Sequence, residues 1–188
     1  MIIKRLADAY LKARGWTVRN DLPPDLDTFV VIAAPHTSNW DFPVTLAIAA
    51  SVDLDFYWVG KDSLFRGPMG PVMRRLGGIP VDRSRSTNFV DQVAEVMRES
   101  EGMALGIAPE GTRSKGDYWK SGFYYIARSA GVPIVCGFVD WEKREGGLGP
   151  VVDSSLSKEE VLAELEAFYA GLKGKRPDQY TPPKFRGR

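Results

Sequence analysis

The 188-residue chain holds one cysteine, Cys136, and one histidine, His36. A single thiol excludes an intramolecular disulfide and suits a reducing compartment. With one residue of each kind, zinc sites built from several cysteines and histidines are excluded, and no metal site is expected. An excess of either charge is also missing: 25 Lys and Arg face 24 Asp and Glu, a net of +1, so nothing draws the chain globally to nucleic acid. No run of about 18 apolar residues occurs, which argues against a transmembrane helix. The N-terminus does not read as a secretory signal, because Lys4, Arg5, Asp8 and Lys12 interrupt any apolar stretch. The phosphate-loop pattern GxxxxGK[ST], the dinucleotide pattern GxGxxG and the GxSxG nucleophile elbow are all missing, which argues against those nucleotide-binding and hydrolase classes.

What is present alternates. Short β-branched runs at 28–33, 56–59, 79–81, 103–108 and 134–139 read as strands. Between and around them, helical spacing predicts helices over about 2–16, 40–51, 88–99 and 119–130, and an interrupted one over 61–78 broken by Gly67, Pro68, Gly70 and Pro71. In the 88–99 helix, Phe89, Val93, Val96 and Met97 are expected to face inward. Ser157 and Glu160 form a capping-box pattern that opens a helix to about Leu172. The basic, proline-rich tail from Lys173 reads as irregular. This is the pattern of a single α/β domain with a mostly parallel central sheet flanked by helices. We divide it into an amphipathic N-terminal helix, 1–19, and a main domain, 20–188.

Two polar segments follow strands directly, where open α/β sheets gather ligands. His36-Thr-Ser-Asn-Trp-Asp41 offers a base with a carboxylate five residues on. An imidazole can take a proton near neutral pH, and a carboxylate on its second nitrogen would fix its tautomer. The plainer reading has Asp41 capping the next helix and His36 bonding a carbonyl. Pro109-Glu-Gly-Thr-Arg-Ser114 offers a turn glycine, two hydroxyls and a guanidinium fork that suits phosphate oxygens. Glu110 could orient Arg113 or bond an acceptor hydroxyl, and the segment could equally be a structural turn with a surface arginine. Lys61 and Arg83 each follow a strand and could complete an anion pocket. Arg85, two residues on, reads as solvent-facing.

In residues 2–16, Ile2, Ile3, Leu6, Ala9, Tyr10 and Ala13 share one helical face. Counting to residue 19, Lys4, Arg5, Lys12, Arg14 and Arg19 face Asp8 as the only acid, and Trp16 closes the segment. Such a helix can lie in an anionic membrane surface with its indole at the boundary, or dock on the core with a solvated basic face.

Together these segments resemble the glycerolipid acyltransferase family, typified by 1-acylglycerol-3-phosphate acyltransferase. Its first block, HxxxxD, is His36 to Asp41. The second lies at Lys61-Asp-Ser-Leu-Phe65 and continues to Gly78-Ile-Pro-Val-Asp-Arg83. The third, EGTRS, is Glu110 to Ser114, and the fourth is Val132-Pro-Ile-Val135. The short chain with APHTSNWDF looks like a compact bacterial branch. The resemblance implies transfer of a fatty acyl group from an acyl-CoA or acyl-carrier-protein thioester to a hydroxyl of a lysophosphatidate-like acceptor, with no bound metal or organic cofactor. His36 would be the general base and Asp41 its orienter. Lys61, Arg83, Glu110, Gly111, Thr112, Arg113 and Ser114 would form the acceptor-phosphate site. The chain departs from the family at Pro35, often Asn, and at Cys136, often Pro, which leaves the acceptor open: another amphipathic alcohol could replace lysophosphatidate. A thioesterase or other hydrolase and a non-catalytic lipid-binding module are the alternatives. The expected partners are the thioester donor, a lysophospholipid and an anionic membrane surface, with a cytoplasmic location on the inner face of the membrane.

Overall fold

The computed structural model describes residues 2–81, 89–100 and 102–186. In chain order the elements are α1 (Ile2–Ala13), β1 (Thr17–Asn20), β2 (Thr28–Ala34), α2 (Asp41–Ser51), β3 (Phe56–Lys61), α3 (Gly70–Arg75), β4 (Gly78–Val81), α4 (Phe89–Glu99), β5 (Met103–Ile107), α5 (Gly122–Ala130), β6 (Ile134–Asp140), β7 (Glu145–Val152) and α6 (Lys158–Tyr169). The strands form a seven-stranded sheet in the order β1-β7-β6-β2-β5-β3-β4. Strands β6, β2, β5, β3 and β4 run parallel to one another. β7 is antiparallel to β6, and β1 is parallel to β7. The expected α/β fold with a mostly parallel sheet is what the chain adopts.

Central strands of a parallel sheet are covered on both faces and so read as continuous apolar runs. β2 does so: Phe29, Val30, Val31 and Ile32 are all buried. On one face Val30, Ile32, Leu105 and Ile134 pack against α4, α5 and α6 through Met97, Phe123, Ile126 and Leu165. On the other, α2 lies over the sheet through Val44 and Ile48, and α1 packs on α2 through Leu11. A glycine in β7 permits that approach, because a Cβ on Gly146 would stand 2.6 Å from the Ile48 Cδ1. The Ser157–Glu160 capping box forms as expected. Both its parts satisfy backbone donors at the start of α6 that the helix itself leaves unpaired.

Several expectations need correction. β1 and β7 were not anticipated. Glu145-Gly-Gly-Leu-Gly-Pro-Val-Val152 carries three glycines and a proline, which argue against a strand by composition. The glycines are there because neighbours come close: a Cβ on Gly147 would lie 1.8 Å from the Arg19 carbonyl oxygen, and one on Gly149 2.6 Å from the Phe168 ring. The interrupted helix over 61–78 resolves into a short 3-10 turn, Asp62–Phe65, and α3. Val96, expected inward, is 52% exposed. Trp16 is no boundary residue; it is buried, edge-on to Trp141. The division after residue 19 falls inside β1, so the N-terminal helix leads straight into the sheet. Arg83 and Arg85 lie outside the described residues.

Candidate active site

β2, β5, β3 and β4 point their carboxyl ends the same way, and both polar segments lie at that edge. β2 ends at Ala34, a cis peptide bond joins it to Pro35, and the turn 36–40 delivers Asp41 as the first residue of α2. The Asp41 carboxylate is 3% exposed and fully engaged. Oδ2 accepts the backbone N–H groups of Thr37 at 2.8 Å and Ser38 at 2.7 Å. Oδ1 accepts the indole N–H of Trp141 at 2.8 Å. His36 Nδ1 stands 3.5 Å from Oδ2. That is an ion-pair distance, longer than the usual 2.7–3.2 Å of an N–H···O bond. Such contacts are often long without substrate and tighten with it. The imidazole is about a quarter exposed, at 26%.

Behind the histidine sits Glu110, brought from the end of β5 by the turn at Gly111, whose φ is +66°. Only glycine takes that conformation readily. The Glu110 carboxylate is buried, at 4% exposure. Oε1 accepts the His36 backbone N–H at 2.6 Å, and Oε2 accepts that of Thr181 at 3.4 Å. Burial pushes its pKa up from 4.5 to about 7; the two backbone donors oppose that shift, and the charge of Asp41 adds to it. The thiol of Cys136, in β6, is also buried and pushed up to about 12. That disfavours it as a nucleophile.

The C-terminal segment, read from sequence as irregular, ties these parts together. Trp141 donates its backbone N–H to Lys173. Arg176 donates its own to Thr37 Oγ1 at 3.1 Å. Beyond Glu110, the carbonyl of Thr181 accepts the Trp119 indole N–H at 2.7 Å, and Thr181 Oγ1 accepts the Gly116 N–H at 2.7 Å. Between α2 and the sheet lies a small, largely apolar cavity of about 40 Å³. Val31, Ala33, Ile48, Val52 and Phe56 line it, together with His36 and Asp41. Among the described residues no group of three or more His, Cys, Asp and Glu side chains could hold a metal ion.

Residues 17–138 match the sequence profile of the family described as Acyltransferase. The chain belongs to the acyltransferase family. Its fold is similar to that in the crystal structure of the 1-acyl-sn-glycerophosphate (LPA) acyltransferase PlsC from Thermotoga maritima. The TM-score is 0.60 at 20% identity, over 86% of this chain and 72% of that one. No curated protein matches the chain.

In this acyltransferase the fold brings His36, Asp41 and Glu110 together: Glu110 holds the His36 backbone N–H, and Asp41 stands 3.5 Å from its ring. It leaves the other expected residues more open. Lys61 is exposed at the end of β3, opposite Val81 of β4 in the sheet register. Thr112, Arg113 and Ser114 are exposed, with Thr112 Oγ1 accepting the Ser114 N–H. Among the described residues Arg113 has no ion-pair or hydrogen-bond partner. Glu110 is engaged with the backbone of His36 and Thr181, not with Arg113. Trp141 and Thr181 were missed: a Trp directly after a buried strand was the one available signal for Trp141, and Thr181 gave none. The Asp41 cradle yields a test. Asn at position 41 has one acceptor oxygen, so its NH₂ must face an N–H. Asp41→Asn is expected to cost about 1–3 kcal/mol of stability, measured by urea unfolding, with a turnover loss smaller than that from losing His36. Unchanged stability would show that the cradle is not formed.

Proposed function

We propose that the protein transfers a fatty acyl group from a CoA or acyl-carrier-protein thioester to a hydroxyl of a lysophosphatidate-like acceptor. The observation that carries this reading is the imidazole of His36, about a quarter exposed, its backbone held by Glu110, with Asp41 at its Nδ1 side and an apolar cavity alongside. With Nδ1–H turned to the carboxylate, Nε2 is free to take a proton. The acceptor oxygen loses its proton to Nε2 and bonds to the thioester carbonyl carbon. The resulting oxyanion collapses, the C–S bond breaks, and the leaving sulfur takes the proton back from the imidazolium. The cavity under α2, about 40 Å³ with aliphatic and aromatic walls, suits only the start of an acyl chain. Incubating the protein with acyl-CoA and following free thiol, with and without lysophosphatidate, tests the reading. Acceptor-dependent release supports transfer. Release without acceptor means a thioesterase, and release only with another lysolipid reassigns the acceptor.

We assign the acceptor phosphate to Arg113 with Thr112 and Ser114, supported by Lys61. The exposed guanidinium three residues beyond Glu110, unpartnered among the described residues, supports this. Arg113→Lys keeps the charge but loses the fork. It is expected to raise the acceptor KM about tenfold, the worth of one charge-assisted bond, with little change in kcat. An unchanged KM in steady-state assays would move the phosphate elsewhere.

Among the described residues no helix is long and apolar enough to cross a membrane. We place the enzyme peripherally on the cytoplasmic face, attached through α1. Ala7 and Leu11 dock that helix on the body, while Ile2, Ile3 and Leu6 remain 74%, 73% and 66% exposed. Three aliphatic side chains on one free face suit the acyl boundary of a leaflet, beside Lys4, Arg5 and Lys12 for anionic headgroups. Replacing Ile2, Ile3 and Leu6 together by serine is expected to lower co-sedimentation with anionic vesicles at least tenfold, since burying even one such side chain is worth about 1.5 kcal/mol, without lowering the melting temperature. Unchanged binding would show that the anchor is elsewhere.

A further inference from the structure

A second cavity, about 280 Å³, opens where α1, the start of α2, the β6–β7 turn and the C-terminal segment meet. Its walls carry rings and cations: Tyr10, Trp40 and Trp141, with Arg14, Arg144 and Lys175; among the described residues no Asp or Glu lines it. The Lys175 ammonium lies 4.3 Å from the Trp141 ring centre and 5.1 Å from that of Trp40. The Arg14 guanidinium lies 5.0 Å over Tyr10. Arg144 donates to the Arg14 carbonyl at 2.6 Å. None of the three cations has a carboxylate partner among the described residues. Ring faces hold a cation only weakly at an open site. Three positive groups around one space repel one another until an anion enters.

The rings narrow the choice of anion. A lipid headgroup phosphate needs the cations alone and would leave the ring faces unused. A carrier protein presents a convex surface that does not fill a cavity of this size. A purine with phosphates uses both features, the base against indole or phenol faces and the phosphates on the arginine forks. Position agrees. Trp141, which lines this cavity, also donates its indole N–H to Asp41. One side chain thus separates the cavity from the His36–Asp41 pair, and a flexible arm can lead from one to the other.

We propose that this cavity seats the phosphorylated adenosine of a coenzyme A thioester, with its pantetheine arm running past Trp141 to His36. This rests on the acyl-transfer reading for its donor and selects CoA over the carrier protein. Calorimetry on the whole protein, with no turnover required, tests it. Coenzyme A is expected to bind at least tenfold more tightly than 3′-dephospho-CoA, and pantetheine more weakly than either, one charge-assisted contact being worth about that factor. The double variant Arg14→Gln, Arg144→Gln is expected to weaken CoA binding about 30-fold or more, and Trp40→Ala about tenfold through the lost stacking face, with melting temperatures kept. Equal binding of the three ligands, or wild-type CoA affinity in the charge variant, overturns the proposal. So does a charge variant that loses anionic vesicles but keeps CoA, which would mark a headgroup site. Raised KM for an acyl-carrier-protein donor with CoA binding unchanged would mark a protein-docking site and overturn it likewise. Tight CoA binding here without any acyl transfer would leave the nucleotide seat standing and retire the transfer reaction.

Discussion

His36→Ala is expected to lower the rate of acyl transfer about 1,000-fold, the middle of the range for losing a positioned general base, while the protein stays folded. The side chain is partly exposed and lines a cavity, so its removal leaves no large buried void. The contact that fixes the segment uses the His36 backbone N–H, which alanine retains. The fall should therefore appear in kcat at nearly constant KM for donor and acceptor, with circular dichroism and the melting temperature unchanged. Added imidazole should recover part of the rate, because the space vacated faces the cavity. Turnover near the wild-type value would end the general-base mechanism, and a loss that tracks unfolding would make His36 a structural residue.

Legibility in the sequence followed the range of the interaction. His36 and Asp41 could be paired from spacing because a strand end, a five-residue turn and a helix start fix their geometry locally. The carboxylate's other partner could not be. Trp141 meets Asp41 across 100 positions, and nothing in the residues around Trp141 marks it as more than an aromatic at a strand end. The same holds for Glu110. Its neighbours suggested a phosphate site, yet its carboxylate turns inward to a backbone N–H 74 positions away. The N-terminal helix showed one apolar face, Ile2, Ile3, Leu6, Ala9, Tyr10 and Ala13; Ile2, Ile3 and Leu6 are free, whereas Tyr10 packs against the core beside Leu11 and Trp16. The narrower strip that docks, Ala7 and Leu11, was hidden because two residues suffice when α2 supplies the rest of the contact. β7 was illegible because its glycines answer to a neighbouring backbone at Gly147 and to packed side chains at Gly146 and Gly149, which periodicity does not register. The central strands were legible because burial on both faces writes itself as uninterrupted apolar runs.

Glu110→Gln is expected to reverse its effect on stability with pH. Burial raises the Glu110 pKa from 4.5 to about 7 in the folded protein. Between those values the folded state keeps a proton that the unfolded chain has lost, so stability falls as pH rises through the window. The penalty is absent below about pH 4.5 and complete above about pH 7, where it amounts to roughly 3 kcal/mol. Glutamine cannot ionise and escapes it. Its carbonyl can still accept the His36 N–H, but its NH₂ must face Thr181, losing the longer bond at a cost of about 1 kcal/mol at every pH. The variant should be less stable than wild type at pH 4 and more stable at pH 8, in urea titrations of both proteins at the two values. Parallel curves would show that Glu110 is ionised throughout. Glu110→Ala separates stability from function. It removes the acceptor that holds His36 in place, and a shift of the imidazole by about 1 Å is enough to cost about 100-fold in turnover. Glutamine should retain most of the activity that alanine loses, because the bond from the His36 backbone survives in one variant and not in the other.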